Sequence, residues 1–226
     1  TVHRLGFGAM RLTGTMAFHG GVPRDRDASI AVVRRAVELG VNHVDTAAFY
    51  FSSLRRDHLD LVYLRNMRWE SIAEHFGALA KLREAGLIRH LGISDVTPTQ
   101  LAEARAIAPV AAVQNRFGLG HRGATEVLRE CGQAGIAFVP FSAIAGARAS
   151  GAALDPTISE EGNELLTVAK AHGATPEQIR LAWTLAQGAH VLAIPGTGDP
   201  AHLEANVAAG AIRLTRDDLT VLEPAA

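Results

Sequence analysis

The chain has 226 residues and 48% hydrophobic side chains, enough to bury one large core. A formal net charge of −1 and only 5% aromatics leave no global field for nucleic acid or anionic membrane and little material for base stacking. Cys131 is the single cysteine, so no internal disulfide can form and a reducing, cytoplasmic compartment is expected. No apolar run approaches the ~18 residues of a membrane span. The start, Thr1-Val-His-Arg-Leu-Gly, is not a signal peptide. It opens on Thr rather than Met, and the sequence is expected to begin inside a longer gene product.

Strands and helices alternate along the chain. Leu5–Gly8 reads as a short strand. Arg26–Leu39 reads as a helix, with Ile30, Val33 and Val37 on one face and Gly40 as the stop. His43–Asp45 and the apolar Leu59–Leu64 are strands. Trp69–Ala85 is a helix ending at Gly86, and Ile88–Ser94 a strand. Thr97-Pro98 caps a helix that runs to about Ala108. A strand at Ala111–Asn115, a helix at Thr125–Gln133 and a strand at Ile136–Phe141 follow. Two helices, Ser159–His172 and Pro176–Gln187, precede a last strand at His190–Ile194 and a helix at Pro200–Ala209.

Such alternation implies parallel strands joined by helical crossovers, in an open doubly wound sheet or a (β/α)8 barrel. Seven strands are legible where a barrel needs eight. The deficit sits between Tyr50 and Leu59, where Phe51-Ser-Ser-Leu-Arg-Arg-Asp-His58 is too short for a parallel crossover of at least ~10–12 residues. The expectation is a single (β/α)8 domain over residues 1–226 whose third strand region is missing, with an omitted segment between residues 50 and 56. A spatial break is expected there. Arg65 to Trp69 is a second abrupt passage that can hide a shorter omission.

Asp45, at the C-terminal end of a strand, is followed five residues on by Tyr50. A carboxylate and a phenol so placed can form a proton-transfer pair, because a tyrosine that titrates near pH ~10 needs assistance to act near neutrality. Taken alone, the pair also fits a capping Asp and a half-buried core ring.

The order of motifs resembles the aldo-keto reductases, NADP(H)-dependent carbonyl reductases on a (β/α)8 barrel. Leu5-Gly-Phe-Gly-Ala-Met-Arg11 is similar to the family's first strand, and Val44-Asp45-Thr-Ala-x-x-Tyr50 to its most specific motif. Asp57–Leu64 resembles the fourth strand, Gly86–Asp95 the fifth, Val113-Gln114-Asn115 the sixth and Pro140–Gly146 the seventh. Ile194-Pro-Gly-Thr197 with His202–Asn206 resembles the eighth strand and its phosphate-binding loop. The resemblance covers nearly the whole chain.

The resemblance implies Tyr50 as general acid, with Asp45 holding a lysine that lowers the tyrosine pKa. It implies a dinucleotide site in which Ala9 and Met10 take part, Ser94, Asp95 and Gln114 grip the nicotinamide carboxamide and Phe141 stacks on the ring. Ser142, Ile144 and Gly146 fall on the pyrophosphate side. Gly196, Thr197, His202 and Asn206 fall at the adenosine end. The partner implied is a small carbonyl substrate; neither nucleic acid nor membrane is implied, and the oligomeric state is not legible.

Three departures matter. The family's lysine belongs on the missing third strand, and the only lysines, Lys81 and Lys170, read as helical. Arg65 stands where a histidine is usual; a guanidinium can polarise a carbonyl but cannot relay a proton. Gly196 and His202 replace the basic residues that mark a 2′-phosphate, which keeps NAD(H) open beside NADP(H). The rival function is a nucleotide-binding barrel of weak catalysis, acting as a redox sensor or regulatory subunit. A Schiff-base lyase is disfavoured because no strand carries a lysine.

Gly118-Leu-Gly-His-Arg-Gly123 fits GxGxxG, but no acid ends the next strand, so it reads as a Gly-rich loop. The ten histidines lack metal-ligand spacing, and no metal is expected. His43 and His190 are read as packing at strand ends, His58 and His75 as solvated, Cys131 as core and Asp60 as a buried structural charge with a partner. Glu160 and Glu161 read as compensation of a helix dipole.

Overall fold

The computed structural model describes residues 2–12, 25–46, 57–144 and 158–223. The expected break between residues 50 and 56 lies outside them. Several helices start where the sequence supplies side-chain acceptors for free N–H groups. Asp25 accepts from Ala28 N at 2.8 Å ahead of α1 (Arg26–Glu38). Thr97 and Thr175 form reciprocal capping boxes with Gln100 and Gln178, each followed by proline, ahead of α3 (Pro98–Ile107) and α6 (Pro176–Ala186). Helix α4 (Thr125–Ala134) stops at Gly135, whose φ of 67° suits a residue without Cβ. Helix α2 (Ala73–Glu84) starts four residues later than its sequence pattern predicts. Asn66 Oδ1 accepts from Trp69 N, and Glu103 holds Ser71 and Ile72, so residues 66–72 form a tied loop. The remaining helices are α5 (Ile158–Ala171), α7 (Pro200–Ala208) and α8 (Arg216–Leu222). The last is absent from the sequence reading; Thr215 and Asp218 cap it.

The strands are β1 (Phe7–Gly8), β2 (Val44–Asp45), β3 (Leu59–Arg65), β4 (Ile88–Ser94), β5 (Val110–Gln114) and β6 (Ala137–Phe138). Parallel ladders join β1 to β2 and run through β3, β4, β5 and β6 in order. Residues 191–193 link the two sheets through parallel bridges from Val191 to Phe138 and from Ala193 to Leu5. Round the wall the order is β2, β1, residues 191–193, β6, β5, β4, β3, all in one direction. This is the (β/α)8 barrel with seven strand positions filled among the described residues. Among the described residues no strand pairs β2 with β3, where a third strand is expected. The first, seventh and last strands are shorter ladders than predicted, with Leu5, Val191 and Ala193 as single bridges.

Direction explains why the join is tight. Thr46 leaves the C-terminal end of the barrel and Asp57 enters at the N-terminal end. A seven-residue strand such as β3 rises roughly 23 Å at ~3.3 Å per residue. Eleven peptide steps reach at most ~40 Å. A stretch of that reach is long enough to return to the other face but too short for helix, strand and helix.

Alternation decides which side chains enter the barrel. Leu91, Ile93, Val113 and Phe138 join the main core with helix residues Phe76, Leu101, Val127 and Trp183, and Val62 and Leu64 pack against it. The alternate positions, Tyr63, Arg65, Gly92, Ser94, Ala112 and Gln114, face inward. Gly92 permits this: a Cβ there would lie 2.5 Å from Cδ1 of Tyr63, so the Tyr63 ring lies across the glycine. Two minor readings are corrected. Asp60 is exposed rather than buried, at 2.8 Å from Arg89, because it sits at the open end of β3. His58 is largely buried rather than solvated, with Nδ1 2.7 Å from the Asp57 carboxylate. Cys131 is fully buried, and burial pushes its thiol up to about 12, as a core residue requires.

Candidate active site

The C-terminal ends of the strands collect most of the predicted residues. Asp45 closes β2 and its carboxylate accepts a hydrogen bond from Gln114 Nε2, at the end of β5, at 2.8 Å. Burial raises the Asp45 pKa, against the opposing pull of the Gln114 bond and of His43. The neighbouring wall holds Tyr63, whose hydroxyl is buried without a hydrogen-bond partner. Burial, then the Asp45 charge, raises the Tyr63 pKa. His43 is pulled the other way by burial, and its buried Nδ1 also lacks a partner.

Ser94 ends β4 opposite Arg65 in the β3 register, and its buried Oγ has no hydrogen-bond partner. Asp95 follows in a left-handed turn with φ 63°, its N–H donating to Gln114 O at 3.0 Å. The Arg65 guanidinium stands 3.5 Å from Asp95 Oδ2 and 5.7 Å from the centroid of the Phe141 ring. Phe141 is held by its N–H to Asn115 O at 3.1 Å. Asp45, Gln114, Ser94, Asp95, Arg65 and Phe141 therefore form one connected constellation at the end of the barrel where sites of this fold are built.

The other predicted residues line its rim. Ala9 is buried and Met10 exposed in the 3₁₀ turn Ala9–Leu12 after β1. Gly196 lies against Gly8: a Cβ on Gly196 would be 2.6 Å from Gly8 O. Thr197 is buried and accepts from Asp199 N, which starts α7. His202 is exposed, its Nδ1 3.9 Å from Asp199 Oδ2. Asn206 is buried on α7. Ser142 has φ 63° and is exposed. Ile144 packs beside Leu5 and Leu181. Tyr50 and Gly146 lie outside the described residues.

Sequence reasoning missed Tyr63. The available signal was the period-two alternation back from Arg65, together with Gly92 on the neighbouring strand. It also missed Asn115, which brackets Val96 by accepting from its N–H at 3.0 Å and donating to its C=O at 2.7 Å, fixing the turn that carries Asp95. The glycine-rich segment is a closed turn in which Gly118 and His121 exchange backbone hydrogen bonds.

The family model "Aldo/keto reductase family" matches residues 4–54 and 51–225. The chain belongs to the aldo/keto reductase family. It is therefore an oxidoreductase of the aldo-keto reductase type. It is 34% identical to pyridoxine 4-dehydrogenase of Escherichia coli (strain K12), covering 99% of this chain and 94% of that protein. An uncharacterized oxidoreductase of Schizosaccharomyces pombe is 32% identical, covering 98% and 86%. The solved aldo/keto reductase from Klebsiella pneumoniae, in complex with NADP and acetate, is 21% identical with a TM-score of 0.80, covering 98% of this chain and 90% of that one. The alignment with the E. coli protein spans 282 residues against 226 here, so at least 56 have no counterpart in this chain.

Proposed function

We propose that the chain is an NADP(H)-dependent oxidoreductase that reduces an aldehyde or ketone to the alcohol, with Tyr50 as general acid. The observation that carries this reading is Ser94. Its buried, unpartnered hydroxyl, beside the amide of Gln114 and the ring of Phe141, suits a planar ligand with a carboxamide edge. Gly8 and Gly196 let the first strand and the loop after residues 191–193 close against each other beside this space, since a Cβ on either would meet the other's backbone. Ser94, Asp95 and Gln114 would hold the carboxamide, Phe141 the ring, and Thr197, His202 and Asn206 the far end. The bound dinucleotide supplies the hydride. The chain's own part is to orient the carbonyl, polarise it through Arg65 and deliver a proton from Tyr50.

NADP in the Klebsiella structure supports NADP(H) over NAD(H) despite Gly196 and His202. The name of the E. coli relative makes pyridoxal, the aldehyde related to pyridoxine, the first carbonyl to try. The buried single cysteine agrees with a cytoplasmic setting. We further propose that a strand-bearing segment is omitted between residues 50 and 56. The two stretches of the family match meet at residues 51–54, and the wall opens between the flanking strands. One observation favours the weakly catalytic sensor barrel instead: the Asp45 carboxylate is held by the neutral Gln114, and both lysines lie on helices α2 and α5.

Titration with NADPH and NADH, followed by melting temperature, tests the cofactor. NADPH should raise Tm by mass action on the folded state. If neither nucleotide shifts the melt far above micromolar concentrations, the enzyme and the sensor readings both fail.

A further inference from the structure

Arg65 is the one fixed positive charge in the constellation. Its backbone is anchored to β4, in the ladder and through the residue that follows it. Asn66 N donates to Ser94 O at 2.8 Å, and the Asn66 side-chain amide donates to Asp95 O at 3.3 Å and to Gln100 Oε1 at 3.1 Å. The guanidinium itself is held loosely. Among the described residues its ion pair is the 3.5 Å contact to Asp95, between side chains 56% and 50% exposed. Such a pair is worth little, because water competes for both ends. The guanidinium carbon also lies 5.7 Å from the centroid of the Phe141 ring, a cation–π contact. The planar fork therefore still has N–H groups to offer in the geometry that fits two oxygens of one anion. The carboxylates facing this space are both occupied, Asp95 by Arg65 and Asp45 by Gln114.

We propose that Arg65 selects carbonyl substrates that carry an anionic oxygen group beside the carbonyl, a carboxylate or an ionised phenol, and that Asp95 parks the guanidinium until such a group displaces it. This rests on the carbonyl-reductase reading above and names its substrate class. A neutral aldehyde offers the fork only its carbonyl oxygen, a single acceptor that does not displace the Asp95 carboxylate. An anionic one exchanges a long, exposed pair for a bidentate pair over an aromatic face. Charge-assisted hydrogen bonds of this kind correspond to a preference of about 10- to 100-fold.

Two arms test it on the whole chain. In the first, benzoate and its neutral counterpart benzamide are titrated calorimetrically, with and without NADP+. Wild type should bind benzoate at least tenfold more tightly. Arg65→Met should bring the ratio near one, Arg65→Lys should keep part of it, and Asp95→Asn should widen it by removing the competitor. In the second, kcat/KM with NADPH is compared for 2-carboxybenzaldehyde and benzaldehyde. The same ratio should appear mainly in KM, since the contact exists before and during reaction. Equal binding of benzoate and benzamide by wild type, no binding of either, or a ratio unchanged in Arg65→Met overturns the proposal. If NADPH binds but neither aldehyde is reduced, the reductase reading fails, and the benzoate arm still decides what Arg65 recognises.

Discussion

Gly92→Ala tests whether the barrel interior is packed as described. A Cβ at this position would lie 2.5 Å from Cδ1 and 2.7 Å from Cε1 of Tyr63, and 3.0 Å from the backbone oxygen of Ala112. The strand cannot yield, because its ladders to β3 and β5 fix it on both sides. The ring must tilt inward, toward the end of the barrel that holds Asp45 and Gln114. Overpacking of this kind costs about 1–3 kcal/mol. For a chain of this size that lowers Tm by about 2–12 °C. Unfolding followed by tryptophan fluorescence gives the number. The control is Tyr63→Ala, alone and combined with Gly92→Ala. Once the ring is gone the added methyl has room, so the double variant should lose less than the sum by about 0.5–3 kcal/mol. An unchanged Tm in Gly92→Ala, or strict additivity in the double variant, would refute the placement of Tyr63 across Gly92.

Burial raises the Asp45 pKa. A carboxyl that is protonated more readily when folded adds stability at low pH, lost as pH rises through its folded pKa. Asp45→Asn should therefore raise Tm near neutrality while changing it little near pH ~2–3, where the unfolded carboxyl is itself largely protonated; a lower Tm at neutral pH contradicts the buried placement. Asp95→Asn breaks only an exposed 3.5 Å pair, so Tm should move by less than ~4 °C and respond weakly to salt. Thr197→Val and Asn206→Ala should weaken NADPH binding, measured by titration, more than they slow turnover. Native Cys131 should resist a thiol reagent until the chain unfolds, because its thiol is buried and pushed up to about 12.

Much of this was legible before the structure. The capping signals Thr97-Pro98 and Thr175-Pro176 mark helix starts to the residue, since a cap and a proline act locally. The run Ile88–Ser94 is a strand over its full length because β3 pairs along all of it and its side chains are buried from Leu91 onward. Trp69 misleads because helical periodicity extends into a loop whose bonds to Asn66 and Glu103 come from residues the local pattern does not include. Helix α8 owes its seat to distant partners: Trp183 Nε1 donates to Glu223, and Arg122 to Leu222 O. For the site, motif order names which strand ends hold polar residues. It does not show that the Arg65 charge meets Asp95 and Phe141, or that Tyr63 sits inside, since those contacts join residues 29 to 76 apart. Exposure of Asp60 was illegible for a related reason: the apolar run does not show that Asp60 sits at the end of its strand, where it meets Arg89 29 residues away.

The central claim is that this barrel passes hydride from NADPH to a carbonyl while Tyr50 supplies the proton. The most direct measurement is single-turnover reduction of pyridoxal and of 2-carboxybenzaldehyde by NADPH, followed by nicotinamide absorbance, for wild type and Tyr50→Phe. The account predicts that wild type oxidises NADPH with stoichiometric alcohol. Tyr50→Phe should bind NADPH with nearly the same affinity and react ~10²–10⁴-fold more slowly. Full activity in Tyr50→Phe would make Tyr50 a packing residue, and NADPH binding without any reduction by wild type would contradict the claim itself.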